Sequence, residues 1–350
     1  MRVLERLDQL YEIGGGPGAN RLGGSPGEDE AHELAASWMR EAGLEVDVDP
    51  AGNLFGRLSG SDSELPEVWT GSHLDTVPAG GRFDGALGVV AGLEAVERAG
   101  RQARTLTVVA FRDEEGCCGP GCVGSRALCS GWLDPRPEAF VETHVEQGPR
   151  LEEAGVPLAI VTGIVATARG EVVFEGAAGH AGTTPMAGRR DALAEAAEFV
   201  LALRDAAAEV DGAVATVGRL EVEPGATNVI PGRVVVSVDV RAPDVERVAA
   251  VLAAVPGETS RTDAVAMAAA PSDALRLEVE RLGLPVVELP SGAGHDAGVL
   301  AAAGVPTAML FVRSLNGGVS HSPDEETSAE DVALCVDVLA GALARLSSVE

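Results

Sequence analysis

From Glu28 to Leu44 the apolar positions Ala31, Leu34, Ala35, Trp38 and Met39 recur at helical spacing, and Gly43 is placed to stop the helix. The period then changes. Val46-Asp47-Val48 alternates, Pro50 to Asn53 reads as a turn, and Leu54 to Leu58 reads as a second strand. Val68-Trp69-Thr70 predicts another strand and residues 86–99 a helix closed by Gly100. Leu106 to Phe111 is the nearly continuous apolar run of a strand buried on both faces. This succession predicts an α/β domain with a mostly parallel sheet.

The middle of the chain has a different rhythm. A strand at Val165 to Phe174 is followed by a helix at Arg189 to Val210, strands at Thr216 to Val222 and Arg233 to Arg241, and a helix at Val245 to Val255. That β-α-β-β-α order predicts a small α+β unit. After the small residues Ala264 to Pro271 the alternation resumes: a helix at Asp273 to Gly283, strands at Val286 to Leu289 and Thr307 to Val312, and a last helix at Ser328 to Leu346. We therefore expect a domain formed by residues 1–166 and 269–350, interrupted by an inserted domain of residues 167–268. Its exposed sheet edge would pair with a second copy, giving a homodimer.

With 350 residues there is ample chain for two domains. A net charge of −28 excludes the basic footprint of a nucleic-acid binder. No apolar run approaches the roughly 20 residues of a membrane span. The charged start Met1-Arg2-Val3-Leu4-Glu5-Arg6 lacks the apolar centre of a signal peptide, so a cytoplasmic protein is expected. The chain contains no lysine, which removes P-loop and Schiff-base chemistry. Five cysteines, four of them at 117, 118, 122 and 129, fit reduced thiols better than a disulfide framework. Their C-C-x3-C spacing lacks the paired C-x2-C of a zinc site.

Candidate chemistry lies in the histidine motifs. His73 sits in Gly71-Ser72-His73-Leu74-Asp75, and Asp84 follows eleven residues later in Phe83-Asp84-Gly85. Glu114-Glu115 follows the apolar strand, His144 opens His144-Val145-Glu146-Gln147-Gly148, and His321 lies in Val319-Ser320-His321. Taken singly, each reads as a turn or capping residue. Together they offer three imidazoles and two carboxylates, with one carboxylate to spare. Such a set suits one or two divalent ions of the Zn, Mn, Co or Ni type with open positions for water and substrate. Several members follow predicted strands, where chemistry collects in open α/β sheets. The expectation is metal-assisted hydrolysis.

The segments GSHLDTVPAGGRFDGALGV (71–89), FRDEEG (111–116), GSRAL (124–128), HVEQGPRLE (144–152), GHAGTTPM (179–186), ATNVIPG (226–232), SVDVRAPD (237–244), LPSGAGHDAG (289–298), FVRS (311–314) and GVSHSPDEE (318–326) extend over most of the chain. They resemble the dinuclear metal aminoacylase and carboxypeptidase superfamily and, through HVEQGP and GHAGTTPM, its hydantoinase/carbamoylase branch. The resemblance implies two divalent ions per subunit, held by His73, Asp84, Glu115, His144 and His321 with Asp84 bridging. It makes Glu114 the general base and acid, Asp75 the residue that orients His73, and His180 an oxyanion contact reaching the partner subunit. It assigns Gln147, Asn228, Arg241 and the backbone of Gly292 and Ala293 to the carboxylate and ureido groups of a small ureido acid. By itself Arg241 reads as a surface ion pair, and Asn228 as a turn residue. His295-Asp296 is read as shaping the substrate loop, and His32 as a surface residue.

The implied reaction is hydrolysis of the carbamoyl C–N bond of N-carbamoyl-L-amino acids. Allantoate hydrolysis is the nearest alternative, followed by aminoacylase or dipeptidase activity and then by a non-catalytic metal-binding homologue. After Glu114-Glu115-Gly116 the family usually has an aromatic residue, where this chain has Cys117-Cys118-Gly119-Pro120.

Overall fold

The computed structural model describes residues 2–116, 119–253 and 259–348. Cys117 and Cys118, two of the four clustered cysteines, lie outside the described residues. Two compact units are present: Met1–Gly163 together with Ala266–Glu350, and Ile164–Val265. Among the described residues no helix is long and apolar enough to cross a membrane.

The first unit is built on a mostly parallel sheet. Strands Leu106–Phe111, Val68–His73, Ala139–Val145 and Thr307–Val312 lie side by side in that order and parallel. Antiparallel strands flank them: Leu54–Leu58 and Glu45–Val48 on one side, Leu158–Ile164 on the other. All four parallel strands are buried along their whole length, as expected when helices cover both faces. Helices Ala86–Ala99 and Ala329–Ser347 share one core with them. Each fully buried Val, Leu or Phe there contributes about 1.5–3 kcal/mol.

Helix Pro26–Glu41 begins at Ser25, whose hydroxyl accepts from Glu28 N–H. Its buried stripe is Glu28, Ala31, His32, Ala35, Trp38 and Met39. This corrects the expectation for His32, which is 6 % exposed. The apolar residues mark the buried face, but His32 and Glu28 are four apart on that same face, so both go in with it. Sequence patterning also passed over helices Arg2–Tyr11, Val123–Gly131 and Asp296–Ala302 and strand Leu158–Ile164.

The second unit is an antiparallel sheet ordered Leu220–Glu223, Arg233–Ala242, Ala166–Glu175, Thr259–Thr262, with Val214–Thr216 also pairing to Arg233–Ala242. Helices Ala192–Ala208 and Val245–Leu252 pack on it through their apolar stripes. The single strand expected at Thr216 to Val222 is two strands. Thr216 pairs with Asp239 and Leu220 with Val236, so one residue is extra and the chain bulges around Gly218. Gly179–His180 and Val229–Ile230 form a separate short ribbon.

The insertion leaves and rejoins the first unit at one place. Met267 N–H donates to Thr162 C=O at 3.0 Å.

Candidate metal centre

The parallel strands deliver the candidate ligands at their carboxyl ends. His73 is the last residue of Val68–His73, Glu114-Glu115 follow Phe111, His144 is the penultimate residue of Ala139–Val145, and His321 is on the loop after Val312. Asp84 lies two positions before the first residue of the helix Ala86–Ala99. Gly85, between them, has φ +63°, and a Cβ on it would lie 2.3 Å from the His73 ring. Only glycine allows the backbone to turn this close to the imidazole.

Two sets of donor atoms result, His73, Asp84 and His144 in one and Asp84, Glu115 and His321 in the other. Asp84 belongs to both and divides its oxygens. Oδ1 lies 3.2 Å from His144 Nε2 and 3.7 Å from His73 Nε2, while Oδ2 lies 3.4 Å from His321 Nε2. Glu115 Oε2 is 3.4 Å from the same His321 nitrogen. Glu114 Oε2 stands 3.8 Å from His73 Nε2, beside the first set. One carboxylate oxygen facing each set is the arrangement by which a carboxylate bridges two cations. The structure thus brings all five expected ligands together, with Glu114 alongside.

Asp75 controls this corner. Its Oδ1 accepts Glu114 N–H and its Oδ2 accepts Glu115 N–H, each at 3.0 Å. Oδ1 also lies 3.3 Å from His73 Nδ1, leaving Nε2 for the centre. His144 Nδ1 is likewise engaged by Val145 C=O at 2.9 Å.

The electrostatics favour positive charge at the centre. Burial works against charge on His73, yet Glu114 and Asp75 raise its pKa well above the ordinary imidazole value. For His144 burial is outweighed by Asp84, giving about 9. Asp84 is held far below the usual carboxylate range despite its burial, by His144, His73 and His321. Burial pushes Glu114 well up, with His73 opposing and Asp296 and Glu115 reinforcing. Glu115 is raised by burial and then by Asp84. Borderline nitrogen and hard oxygen donors around such a cradle fit divalent transition ions.

Several supporting residues escaped the sequence reading. Glu325 Oε1 accepts Phe83 N–H at 2.7 Å and Asp84 N–H at 2.9 Å, and Ser320 Oγ bridges Glu325 Oε2 (2.7 Å) to Asp84 Oδ2 (2.8 Å). Burial and then Asp84 raise the Glu325 pKa to about 7. Its signal was the Asp-Glu-Glu run after Ser322-Pro323, which reads equally well as a solvated loop. Arg21 is fully buried and donates to Leu74 C=O at 2.7 Å and Leu10 C=O at 2.8 Å. It gave no signal. Glu28 accepts Asp113 N–H at 2.9 Å, so the three successive amides of residues 113–115 all end on buried carboxylates. Asp113 itself has φ +47°.

Glu142, His144 and His295 also lie close together. Glu142, however, already accepts from Ser72 Oγ and Ala297 N–H, each at 2.7 Å, and His295 Nε2 meets Ser291 Oγ at 2.8 Å. Burial, with His144 adding, puts His295 well below the ordinary imidazole range, so it is neutral. Asp296 is fully buried and takes Ser125 Oγ at 2.5 Å. These residues brace the loop behind the centre.

Gln147, at φ +56°, donates through Nε2 to Asp84 Oδ2 at 2.8 Å, and its Oε1 is buried without a hydrogen-bond partner among the described residues. Ala293 N–H donates to Ser291 Oγ at 3.1 Å. In the second unit, His180 is exposed, pairs with Val229 and accepts Gly182 N–H on Nδ1 at 3.0 Å. Asn228 is its neighbour, its C=O accepting Ala181 N–H at 3.0 Å. Arg189, which the sequence reading passed over, ties this loop by donating to Ala181 C=O and Thr184 C=O. Arg241 donates to both carboxylate oxygens of Asp239, at 2.8 and 3.1 Å.

Residues 69–345 match the peptidase family M20/M25/M40. The chain is 39 % identical to the N-carbamoyl-L-amino acid amidohydrolase of Geobacillus stearothermophilus over 97 % of its own length and 96 % of the relative's. It is 35 % identical to the allantoate amidohydrolase of Bacillus subtilis (strain 168), covering 88 % of each. The crystal structure of a hydantoinase/carbamoylase family amidase from Burkholderia multivorans superposes with a TM-score of 0.87 at 32 % identity, over 99 % of this chain and 97 % of that one.

Proposed function

The chain belongs to the peptidase family M20/M25/M40, in its hydantoinase/carbamoylase branch, and on that footing we propose that it is a metal-dependent amidohydrolase cleaving the ureido C–N bond of N-carbamoyl-L-amino acids or related ureido acids. The observation that carries the metal chemistry is the division of Asp84 between two donor sets, with Glu114 beside them. His73, Asp84 and His144 would hold one ion and Asp84, Glu115 and His321 a second, of the Zn, Mn, Co or Ni type. Bound there, such ions supply an acidified water and polarise a carbonyl.

The remaining work falls to side chains. Glu114 takes the proton of the attacking water and returns it to the leaving nitrogen. Water thus adds its hydroxyl to the carbonyl carbon and its hydrogen to nitrogen. The C–N bond breaks to give the amino acid and a carbamate, which decays to CO2 and ammonia. Asp75 keeps His73 turned toward the centre. The unpartnered Gln147 Oε1 suits a ureido N–H, and Asn228, Arg241 and the Gly292–Ala293 backbone serve the substrate's polar groups.

His180 serves the oxyanion, reaching a partner subunit's site in a homodimer joined through the second unit. The sheet of that unit supports this reading, since its outer strands, Leu220–Glu223 and Thr259–Thr262, each have one edge with no partner strand among the described residues. A cytoplasmic location belongs to the same reading, supported by the free thiols Cys122, Cys129 and Cys335.

The relatives also support allantoate as substrate. The experiment is ammonia release across N-carbamoyl amino acids, allantoate and N-acetyl amino acids, before and after chelation and with each metal restored. Turnover of acetyl amino acids alone would replace the ureido reading with an aminoacylase. Full activity in metal-free protein would remove the metal mechanism. Glu114→Gln should keep its metal and lose turnover by several orders of magnitude.

A further inference from the structure

The chain folds back on its catalytic dipeptide. Cys122 N–H donates to Glu114 C=O at 2.8 Å, Val123 N–H to Asp113 C=O at 3.0 Å, and Gly124 N–H to Arg112 C=O at 2.8 Å. Gly121, with φ +76°, makes the approach possible, because a Cβ there would lie 2.6 Å from the Glu114 carbonyl oxygen. The clasp brings Cys122 Sγ to 3.5 Å from Glu114 Oε1. Cys122 is buried and has φ +51°, a conformation that a residue with a side chain keeps only when its surroundings impose it. Burial, followed by the charges of Glu114 and Asp296, pushes the thiol well above its ordinary range. It therefore stays protonated and can only donate to the carboxylate.

The two oxygens of Glu114 thus have different duties. Oε1 accepts the thiol proton, and Oε2 is on the side of His73 Nε2, facing the metal centre. We infer that Cys122 is a positioning residue for catalysis: its S–H, donated to Glu114 Oε1, fixes the rotation of the carboxylate and reserves Oε2 for proton transfer. The inference rests on Glu114 being the general base. A glutamate has three rotatable bonds, and a proton carrier works only when held within about 0.5 Å of its productive place. Loss of this hydrogen bond should therefore appear as a fall in kcat of about tenfold.

The test compares Cys122→Val, Cys122→Ala and Cys122→Ser in the metal-loaded enzyme, with N-carbamoyl-L-methionine or, if that is not turned over, allantoate as substrate. kcat and KM are measured separately, together with metal content and melting temperature. Valine fills the space without a donor but, branched at Cβ, strains a backbone at φ +51°, so alanine is the cleaner deletion; serine keeps the donor and is smaller. The expected result is a kcat about tenfold lower for Val and Ala, with KM and metal content unchanged, and Ser within about threefold of the parent. Val more active than Ser would show a packing role and overturn the inference. So would losses that follow melting temperature alone. Glu114→Gln separates the two levels: if it keeps full turnover, the general-base assignment fails. If it is dead while Cys122→Val is fully active, only the role of Cys122 fails. In the Glu114→Gln background, Cys122→Val should cause no further loss.

Discussion

Asp75→Asn removes one charge and almost no volume, so its effect can be worked from individual hydrogen bonds. The carboxylate accepts Glu114 N–H on Oδ1 and Glu115 N–H on Oδ2, both at 3.0 Å, and Oδ1 faces His73 Nδ1 at 3.3 Å. In the amide one oxygen becomes an NH2 group, a donor facing a donor. If Nδ2 takes the place of Oδ2, Glu115 N–H loses its acceptor. If it takes the place of Oδ1, Glu114 N–H loses its acceptor and His73 Nδ1 is left with the Asp75 carbonyl alone, at 3.2 Å. Either way at least one buried N–H is left unpaired, costing about 1–3 kcal/mol. Losing the carboxylate behind a ligating imidazole typically weakens metal binding by about 10- to 100-fold, or about 1.4–2.8 kcal/mol. The two routes agree in size. A chelator-competition titration would measure metal affinity, and melting of the metal-free protein would measure the bracing. Wild-type metal affinity in Asp75→Asn would refute the orienting role, and an unchanged metal-free melting temperature would refute the bracing role.

Gly85→Ala should cut activity by roughly 100-fold, because the new methyl carbon would sit 2.3 Å from the His73 ring and displace it; metal content and kcat check this, and parental values of both would exclude the contact. His32→Leu should flatten the acid limb of stability. Burial, and then Arg112, lowers the folded pKa of His32 to about 3, against 6.5 in the open chain, so as pH falls below 6.5 the unfolded state takes the proton first. Parent stability should therefore drop by about 1.4 kcal/mol per pH unit, or about 2 kcal/mol by pH 5, and the leucine variant should lack that component in urea midpoints. Identical slopes would mean that His32 is protonated in the fold. Mixing inactive His180→Ala with inactive Glu114→Gln should restore part of the activity, since a mixed dimer holds one intact composite site. No recovery despite proven subunit exchange would confine His180 to its own chain.

Three of the buried parallel strands, at Val68, Leu106 and Thr307, were legible because each is an apolar run; Ala139–Val145, interrupted by Glu142, Thr143 and His144, was given no bounds. Residues such as His73 and Asp84 were visible because short motifs surround them. Arg21, Glu28 and Glu325 were not, since each is a single polar residue whose partner lies far off in sequence; Phe83 and Glu325 are 242 positions apart. His32 was misplaced because helical periodicity was read from apolar residues alone. The break at Gly218 was invisible, for a one-residue bulge changes neither composition nor length enough to interrupt an alternating pattern.

Thr162 and Met267 are joined by a hydrogen bond, so the chain departs for the second unit and comes home at the same doorway. Geometrically, a short turn could close that gap, and the entropy of closing a loop rises only slowly with its length. About a hundred residues are therefore hung on the first unit as a single excursion of the chain. Such an excursion can be lengthened, shortened or exchanged between relatives while the strand ends that carry the ligands stay as they are. Changes within the second unit are then free to accumulate at a different pace from changes around those strand ends.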